Sequence, residues 1–286
     1  MQAMVGEDDE AYDLIRRHLL RSRGFDISGY SRAFLDRSIR KRVGRTDSRG
    51  TVEYVGLLGR SDEEVNELIS CLSVNVTDFF RDPDAFDALS ALVLRPLIAR
   101  KTELGWSALR IWSAGCATGQ ETYSLAMCVL EEMRKSEAKK DLVVRIIGTD
   151  LSKAALDFAR SGVYSQNGVK GIPRRLLSEY FEICKAGYEA SNALKRIIRF
   201  GSGNLLDRPT GKFFDLIVCR NVVIYFSRPM HDKVIDNFHQ ALRPGGFLML
   251  GRTETLMGSR RQLFEGIDHE NRIFRKPETP TRLSGL

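Results

Sequence analysis

The 286-residue chain has little of what marks several large protein classes. Its five cysteines (Cys71, Cys116, Cys128, Cys184, Cys219) are odd in number, widely spaced and never arranged C-x-x-C, so neither a disulfide framework nor a zinc site is indicated. The four histidines (His18, His231, His239, His269) make no ligand set, and no metal is expected. No apolar run approaches the ~18 residues of a membrane span. The N-terminus opens on Glu7, Asp8, Asp9 and Glu10, where a secretory signal needs basic and then apolar residues. Internal repeats and low-complexity tracts are missing as well. These absences point to a reducing, cytoplasmic protein.

What is present is an ordinary globular composition, 43% hydrophobic and 28% charged, long enough for one large domain or two modest ones. Lys and Arg outnumber Asp and Glu by 44 to 37, a net charge of +7 that invites a nucleic-acid reading. The excess is concentrated. Residues 32–49 hold seven basic side chains (Arg32, Arg37, Arg40, Lys41, Arg42, Arg45, Arg49) against Asp36 and Asp47, net +5.

Apolar periodicity changes near residue 95. Before it the pattern is helical, over 10–21 and 28–43 and again from Ser61. There Ser61 and Glu64 spell a capping box, and Val65, Leu68, Ile69 and Leu72 form one stripe. Beyond about residue 105, short apolar runs at Leu109–Trp112, Val143–Ile147, Ile197–Phe200, Leu216–Cys219 and Phe247–Leu250 read as buried strands with helices between. Pro229–Leu242 is the clearest helix, with Val234, Ile235, Phe238 and Leu242 inward and Arg243-Pro244-Gly245-Gly246 ending it. This alternation predicts an α/β fold, a mostly parallel sheet with helices on both faces. Segment 160–195 breaks the rhythm and reads as an insert. The expected organisation is a helical domain over 1–95 and an α/β domain over 96–280, with a small insert near 181–199.

Four places can carry chemistry. The first strand runs into Gly115-Cys116-Ala117-Thr118-Gly119-Gln120-Glu121, a glycine turn where open α/β sheets hold nucleotide-like ligands, although its spacing is neither G-x-G-x-x-G nor a P-loop. A tight turn needing glycine for sterics alone is the plain alternative. Asp150 ends the second strand, where an acid accepts from ribose hydroxyls; it can equally begin the next helix beside Ser152. Cys219-Arg220-Asn221-Val222-Val223-Ile224-Tyr225-Phe226 puts polar groups after the fourth strand. Asn75-Val76-Thr77-Asp78-Phe79-Phe80-Arg81-Asp82 lies between helices, with Phe79 and Phe80 as core and the rest open to a turn role.

Together with Trp112-Ser113-Ala114 before the glycine turn and Asn204-Leu205-Leu206, these motifs resemble, in order and spacing over roughly residues 10–275, the CheR-type chemotaxis receptor methyltransferases. The resemblance implies a class I S-adenosylmethionine-dependent methyltransferase, Rossmann-like, with an N-terminal all-α domain that docks receptor and completes the cofactor site. It implies methyl transfer to glutamate carboxylates of chemoreceptors in sensory adaptation, giving methyl esters and S-adenosylhomocysteine, without a metal. Asn75, Thr77, Arg81, Gly115, Glu121, Asp150, Asn204, Leu205, Cys219, Arg220 and Asn221 then correspond to cofactor contacts, and Arg81 and Tyr225 to the side chains nearest the transferring methyl.

Two departures stand out. Gln120-Glu121-Thr122 replaces the family's usual Glu-Glu-Pro, with Glu121 kept as the ligand. The stretch Glu182–Gly203 is short and lacks the glycine-flanked loop with which some members grip a receptor tail peptide, so docking independent of that tail is expected. The basic cluster, Arg40, Lys41, Arg42 and Arg45 above all, is assigned to an acidic helical receptor surface. The enzyme is expected to be a monomer with no nucleic-acid partner and no membrane insertion. A nucleic-acid methyltransferase is the rival enzyme, but Cys219-Arg220-Asn221-Val222 is not the Asn/Asp-Pro-Pro-Tyr/Phe signature of base-amino methylation. A non-catalytic S-adenosylmethionine-binding signalling protein is the rival from another class.

Overall fold

The computed structural model describes residues 2–72, 77–106, 108–136, 142–209 and 211–278, with side chains from Asp9 onward. By its internal contacts the chain forms two units, Met1–Val74 with Tyr225–His231, and Asn75–Ile224 with Asp232–Leu286.

The first unit contains helices α1 (Gln2–Arg23), α2 (Arg32–Val43), α3 (Thr51–Leu58) and α4 (Asp62–Leu72). Ile15, Leu19, Ile27, Ile39, Tyr54, Val65, Leu68 and Leu72 form its core. The predicted stripe of α4 is confirmed, with Val65, Leu68 and Leu72 buried and Ile69 half-buried. The capping box is only half made. Ser61 Oγ accepts the Glu64 N–H at 3.1 Å, but the Glu64 carboxylate turns inward to Arg42 (2.7 and 2.9 Å) and to the Tyr54 hydroxyl (2.6 Å). Arg42 therefore leaves the surface cluster to which the sequence assigns it. It is buried, forked onto Glu64 and bonded to Glu67 at 3.0 Å, because a guanidinium sunk into a helical core must be paired.

The second unit begins with α5 (Pro83–Leu89), a π-helical turn (Ser90–Leu94) and α6 (Arg95–Glu103). Pro96 has no N–H for the regular ladder, and the run widens there, with the Arg95 N–H reaching back to Ser90. Then follow β1 (Ala108–Ala114), α7 (Gln120–Lys135), β2 (Val143–Asp150), α8 (Lys153–Ser161), β3 (Val163–Tyr164), α9 (Arg174–Tyr180), β4 (Phe181–Cys184), β5 (Gly187–Ala190), α10 (Asn192–Ile197), β6 (Ile198–Ser202), β7 (Phe214–Cys219), α11 (Arg228–Ala241), β8 (Leu242–Leu250), β9 (Glu265–Asp268) and β10 (Ile273–Arg275). The unit boundary falls at 74/75 rather than near 95, because Phe79, Phe86, Leu89, Val93 and Ile98 share one core with the sheet.

The seven-stranded sheet runs β6-β2-β1-β7-β8-β10-β9. Its first five strands are parallel, and β10 and β9 are antiparallel additions. All six residues of β7 are buried, as expected of a strand covered on both faces. Val234, Ile235 and Phe238 of α11 are fully buried, each contributing about 1.5–3 kcal/mol of apolar burial. The small insert is a separate antiparallel sheet, β3-β5-β4, that starts at Val163. At the amino end of the main sheet a cavity of about 200 Å³ lies between Trp106, Arg100, Lys101 and Arg243. Its cations are matched by Asp215 and Glu278.

Candidate active site

The order of the parallel strands reverses at β1, which has β2 on one side and β7 on the other. Ligands in open α/β sheets bind outside the carboxyl ends at such a point. The glycine turn leaves β1 there. Gly115 has φ +75, and a Cβ on it would come within 2.6 Å of Val222 in the turn after β7, so glycine serves both the backbone and the neighbouring loop. The Gly115 and Cys116 N–H groups donate to the Thr149 carbonyl at 2.8 and 2.9 Å. Ala117, at φ +46, donates its N–H to Asp150 Oδ2 at 2.8 Å.

Asp150 thus braces the glycine turn from the end of β2. Its other oxygen accepts the Ser152 N–H at 2.9 Å, while Ser152 Oγ caps α8 through the Ala155 N–H. Burial pushes the Asp150 carboxyl above the ordinary aspartate value, and the N–H groups of Ser152 and Ala117 oppose that. Backbone N–H groups of Ser152, Ala117 and Leu151 bear on the carboxylate, which leaves about one lone-pair site for a hydroxyl. Asn204 follows β6, where the Gly203 N–H donates to the Asp150 carbonyl at 3.2 Å. Its side chain accepts the Leu206 N–H, and Asn237 holds the turn through the carbonyls of Leu205 and Asp207. Leu205 itself is buried.

Glu121 starts α7 with only 12% of its side chain exposed. Its partners are the Ser113 hydroxyl at 3.0 Å and the Arg220 guanidinium at 4.0 Å. Burial pushes its pKa up to about 6, against the pull of Arg220, Ser113 and Arg81 and with a push from Glu254. Arg220, 2% exposed, is paired with Asp82 at 2.5 Å and lies over the Phe86 ring, and its Nε has no partner. Arg81 is exposed on a backbone bent through left-handed Phe80 (φ +50) and Asp82 (φ +58). The Phe80 N–H to Ser124 Oγ at 3.0 Å pins that bend.

Arg81, Gly115, Glu121, Asp150, Asn204, Leu205, Cys219, Arg220 and Asn221 all belong to the second unit. Thr77 does too and is half-buried, whereas Asn75 lies outside the described residues. Tyr225 belongs to the first unit, its ring 4.6 Å from Phe34 and its carbonyl accepting the Ser31 N–H at 2.7 Å. One residue escaped the sequence reading. Glu254, buried in the loop after β8, accepts N–H groups from the turn that carries Arg220 and Asn221. The signal available was a glycine and a glutamate three residues apart (Gly251, Glu254) directly after a strand.

The donor set fits S-adenosylmethionine. Asp150 offers a carboxylate for a hydroxyl, and Glu121 a desolvated carboxylate for an ammonium. The unpartnered Arg220 Nε is a donor for an anionic group. Among the described residues no group of three His, Cys, Asp or Glu side chains is placed to hold a metal ion.

Comparison with known proteins agrees. Residues 75–273 match the family model described as the CheR methyltransferase SAM binding domain, and residues 10–73 match the CheR methyltransferase all-alpha domain. The chain is 31% identical over 242 residues to a chemotaxis protein methyltransferase of Borreliella burgdorferi, covering 83% of this chain and 85% of that one. It is 31% identical over 250 residues to chemotaxis protein methyltransferase 1 of Pseudomonas aeruginosa (86% and 90%). It is 30% identical over 256 residues to chemotaxis protein methyltransferase 2 of Vibrio cholerae (87% and 86%). With a glycine turn, a buried acid at the end of β2 and both family domains in register, this chain belongs to the CheR methyltransferase family and has its S-adenosylmethionine-dependent methyltransferase fold.

Proposed function

We propose that the protein transfers the methyl group of S-adenosylmethionine to glutamate side-chain carboxylates of chemoreceptors, yielding glutamate methyl esters and S-adenosylhomocysteine. The observation that carries this reading is the pair of carboxylates flanking the glycine turn, Asp150 buried at the carboxyl end of β2 and Glu121 largely covered in the first turn of α7. Bound S-adenosylmethionine supplies a methyl group on a sulfonium, and the sulfur keeps the electron pair of the broken C–S bond as a neutral thioether. The glutamate oxygen forms the new O–C bond. A glutamate with its ordinary pKa near 4.3 is already ionised at neutral pH, so the protein needs no general base. Its work is alignment and exclusion of water. Arg81, exposed on its strained bend, steers the incoming carboxylate; a tight bidentate pair would dull the nucleophile. Tyr225 orients by its hydroxyl.

Docking rests on α2. Arg40, Lys41 and Arg45 are exposed and carry no ion pair among the described residues, and they suit an acidic helical receptor surface. Arg42 takes no part, being spent on Glu64. The β4–β5 connection is only two residues long, Lys185 and Ala186, which supports docking without a tail-peptide grip. We read the enzyme as a cytoplasmic monomer; among the described residues no helix is long and apolar enough to cross a membrane. The test is transfer of radiolabelled methyl to receptor cytoplasmic fragments. Base-labile label on glutamate supports the reading, whereas label only on nucleic acid, or none, refutes it.

A further inference from the structure

We propose that Glu254 is a positioning residue that sets the wall of the cofactor cleft through the backbone N–H groups it gathers, without touching the ligand. This rests on the reading of the cleft as an S-adenosylmethionine site. After β8 the chain turns at once, with the Glu254 N–H donating to the Gly251 carbonyl at 2.8 Å. The side chain then folds back into the protein and is 2% exposed. One carboxylate oxygen accepts the N–H of Gly251 at 2.6 Å and of Asn221 at 2.9 Å. The other accepts the N–H of Val222 at 2.8 Å and of Ile224 at 3.3 Å. Four donors saturate the group. Nothing is left for a ligand.

Those N–H groups belong to the turn that carries the site. Asn221 sits at φ +61, a left-handed conformation that convergence on one carboxylate stabilises. Immediately before it, Arg220 bridges Asp82 and Glu121. Immediately after it, Val222 lies so close to Gly115 that no Cβ fits there. A shift of this turn would therefore move the Arg220 wall and the glycine-turn wall together. Gly251 completes the device, since a Cβ there would lie 2.7 Å from the Glu254 carboxylate and 2.8 Å from the Asn221 nitrogen.

Glu254 also contributes charge. The groups bearing on Glu121 are Arg220, Arg81, the Ser113 hydroxyl, Glu254, and the buried thiols of Cys116 and Cys219. Of these, Glu254 is the acid that raises Glu121. Two variants separate position from charge. Glu254→Gln removes the charge and aims an amide N–H₂ at backbone donors. Gly251→Ala keeps the charge but pushes the carboxylate aside.

The experiment is calorimetric titration of wild type and both variants with S-adenosylhomocysteine across pH, with circular dichroism to verify folding. Both variants are expected to bind roughly tenfold or more weakly, the scale of a lost outer positioning contact. In Glu254→Gln the acid limb of the binding profile should move to lower pH, whereas in Gly251→Ala it should stay in place. Folded variants that bind within twofold of wild type overturn the proposal. So does an unshifted limb in Glu254→Gln; if that variant fails to fold, Gly251→Ala alone decides by its affinity. Wild type that binds no S-adenosylhomocysteine overturns the cofactor reading and this proposal together.

Discussion

Glu64 in α4 and Glu121 in α7 are both glutamates sunk into protein, and they differ in how completely their charge is matched. Glu64 takes a forked Arg42 and the Tyr54 hydroxyl within 2.9 Å, and its carboxyl is held below the ordinary value by those partners against the cost of burial. Glu121 has one hydroxyl at 3.0 Å and a guanidinium held off at 4.0 Å, partly claimed by Asp82. Its carboxyl rises to about 6. A saturated buried charge holds helices together; an under-matched one marks a candidate ligand site.

The largest effect comes from breaking the saturated member. Arg42→Ala strands Glu64 and should cost about 3–5 kcal/mol in thermal or urea unfolding of the full chain. A cost below about 1 kcal/mol would remove Arg42 from the core of the helical unit. For the under-matched member, Glu121→Gln should weaken S-adenosylhomocysteine binding by about ten- to a hundredfold, as loss of a charged hydrogen bond does, without loosening the fold. Calorimetry reads both.

The pH dependence of stability sharpens the contrast because the two signs are opposite. Glu121 has a raised folded pKa, so its contribution is present in full below about pH 4.5 and fades as pH rises through about 6, for a loss of about 2 kcal/mol. Glu64, with a lowered folded pKa, contributes above the unfolded value and fades as pH falls through its folded one. Glu121→Gln should therefore gain stability over wild type at pH 7.5 and lose the gain by pH 4.5, measured by melting. Smallest of all, reversing Arg40 and Lys41 to Glu should move unfolding by no more than about 0.5 kcal/mol. The same change should cut receptor methylation severalfold at low salt, with the difference shrinking as salt rises. An equal loss at high salt would mean these residues act otherwise than by electrostatic docking.

Much of the frame is legible in one dimension. A strand buried on both faces must be apolar throughout, and Phe214–Cys219 reads that way in the sequence and in the sheet. Glycine at 115 and an acid at 150 are legible because a close-approach turn and an acceptor for the N–H groups that meet at the end of β2 demand those residue types. The insert was legible only as a break in rhythm, since two- to four-residue strands give too little periodicity to count. Arg42 looked like its neighbours Arg40 and Lys41, and Glu64 looked like half of a local cap. Their true partners are 22 residues apart, and nothing local marks which of several basic side chains will turn inward.

Glu254 shows the same division most sharply. By itself the sequence determined the change from helical to α/β pattern, the parallel sheet, the glycine turn after β1, the acid ending β2 and the family, because these follow from local pattern and residue chemistry. Only the tertiary structure decided which charged side chains are buried and satisfied, and that one glutamate after β8 gathers the backbone of a loop some 30 residues earlier. Burial and hydrogen-bond partnership are properties of a position in space, and folding alone assigns them.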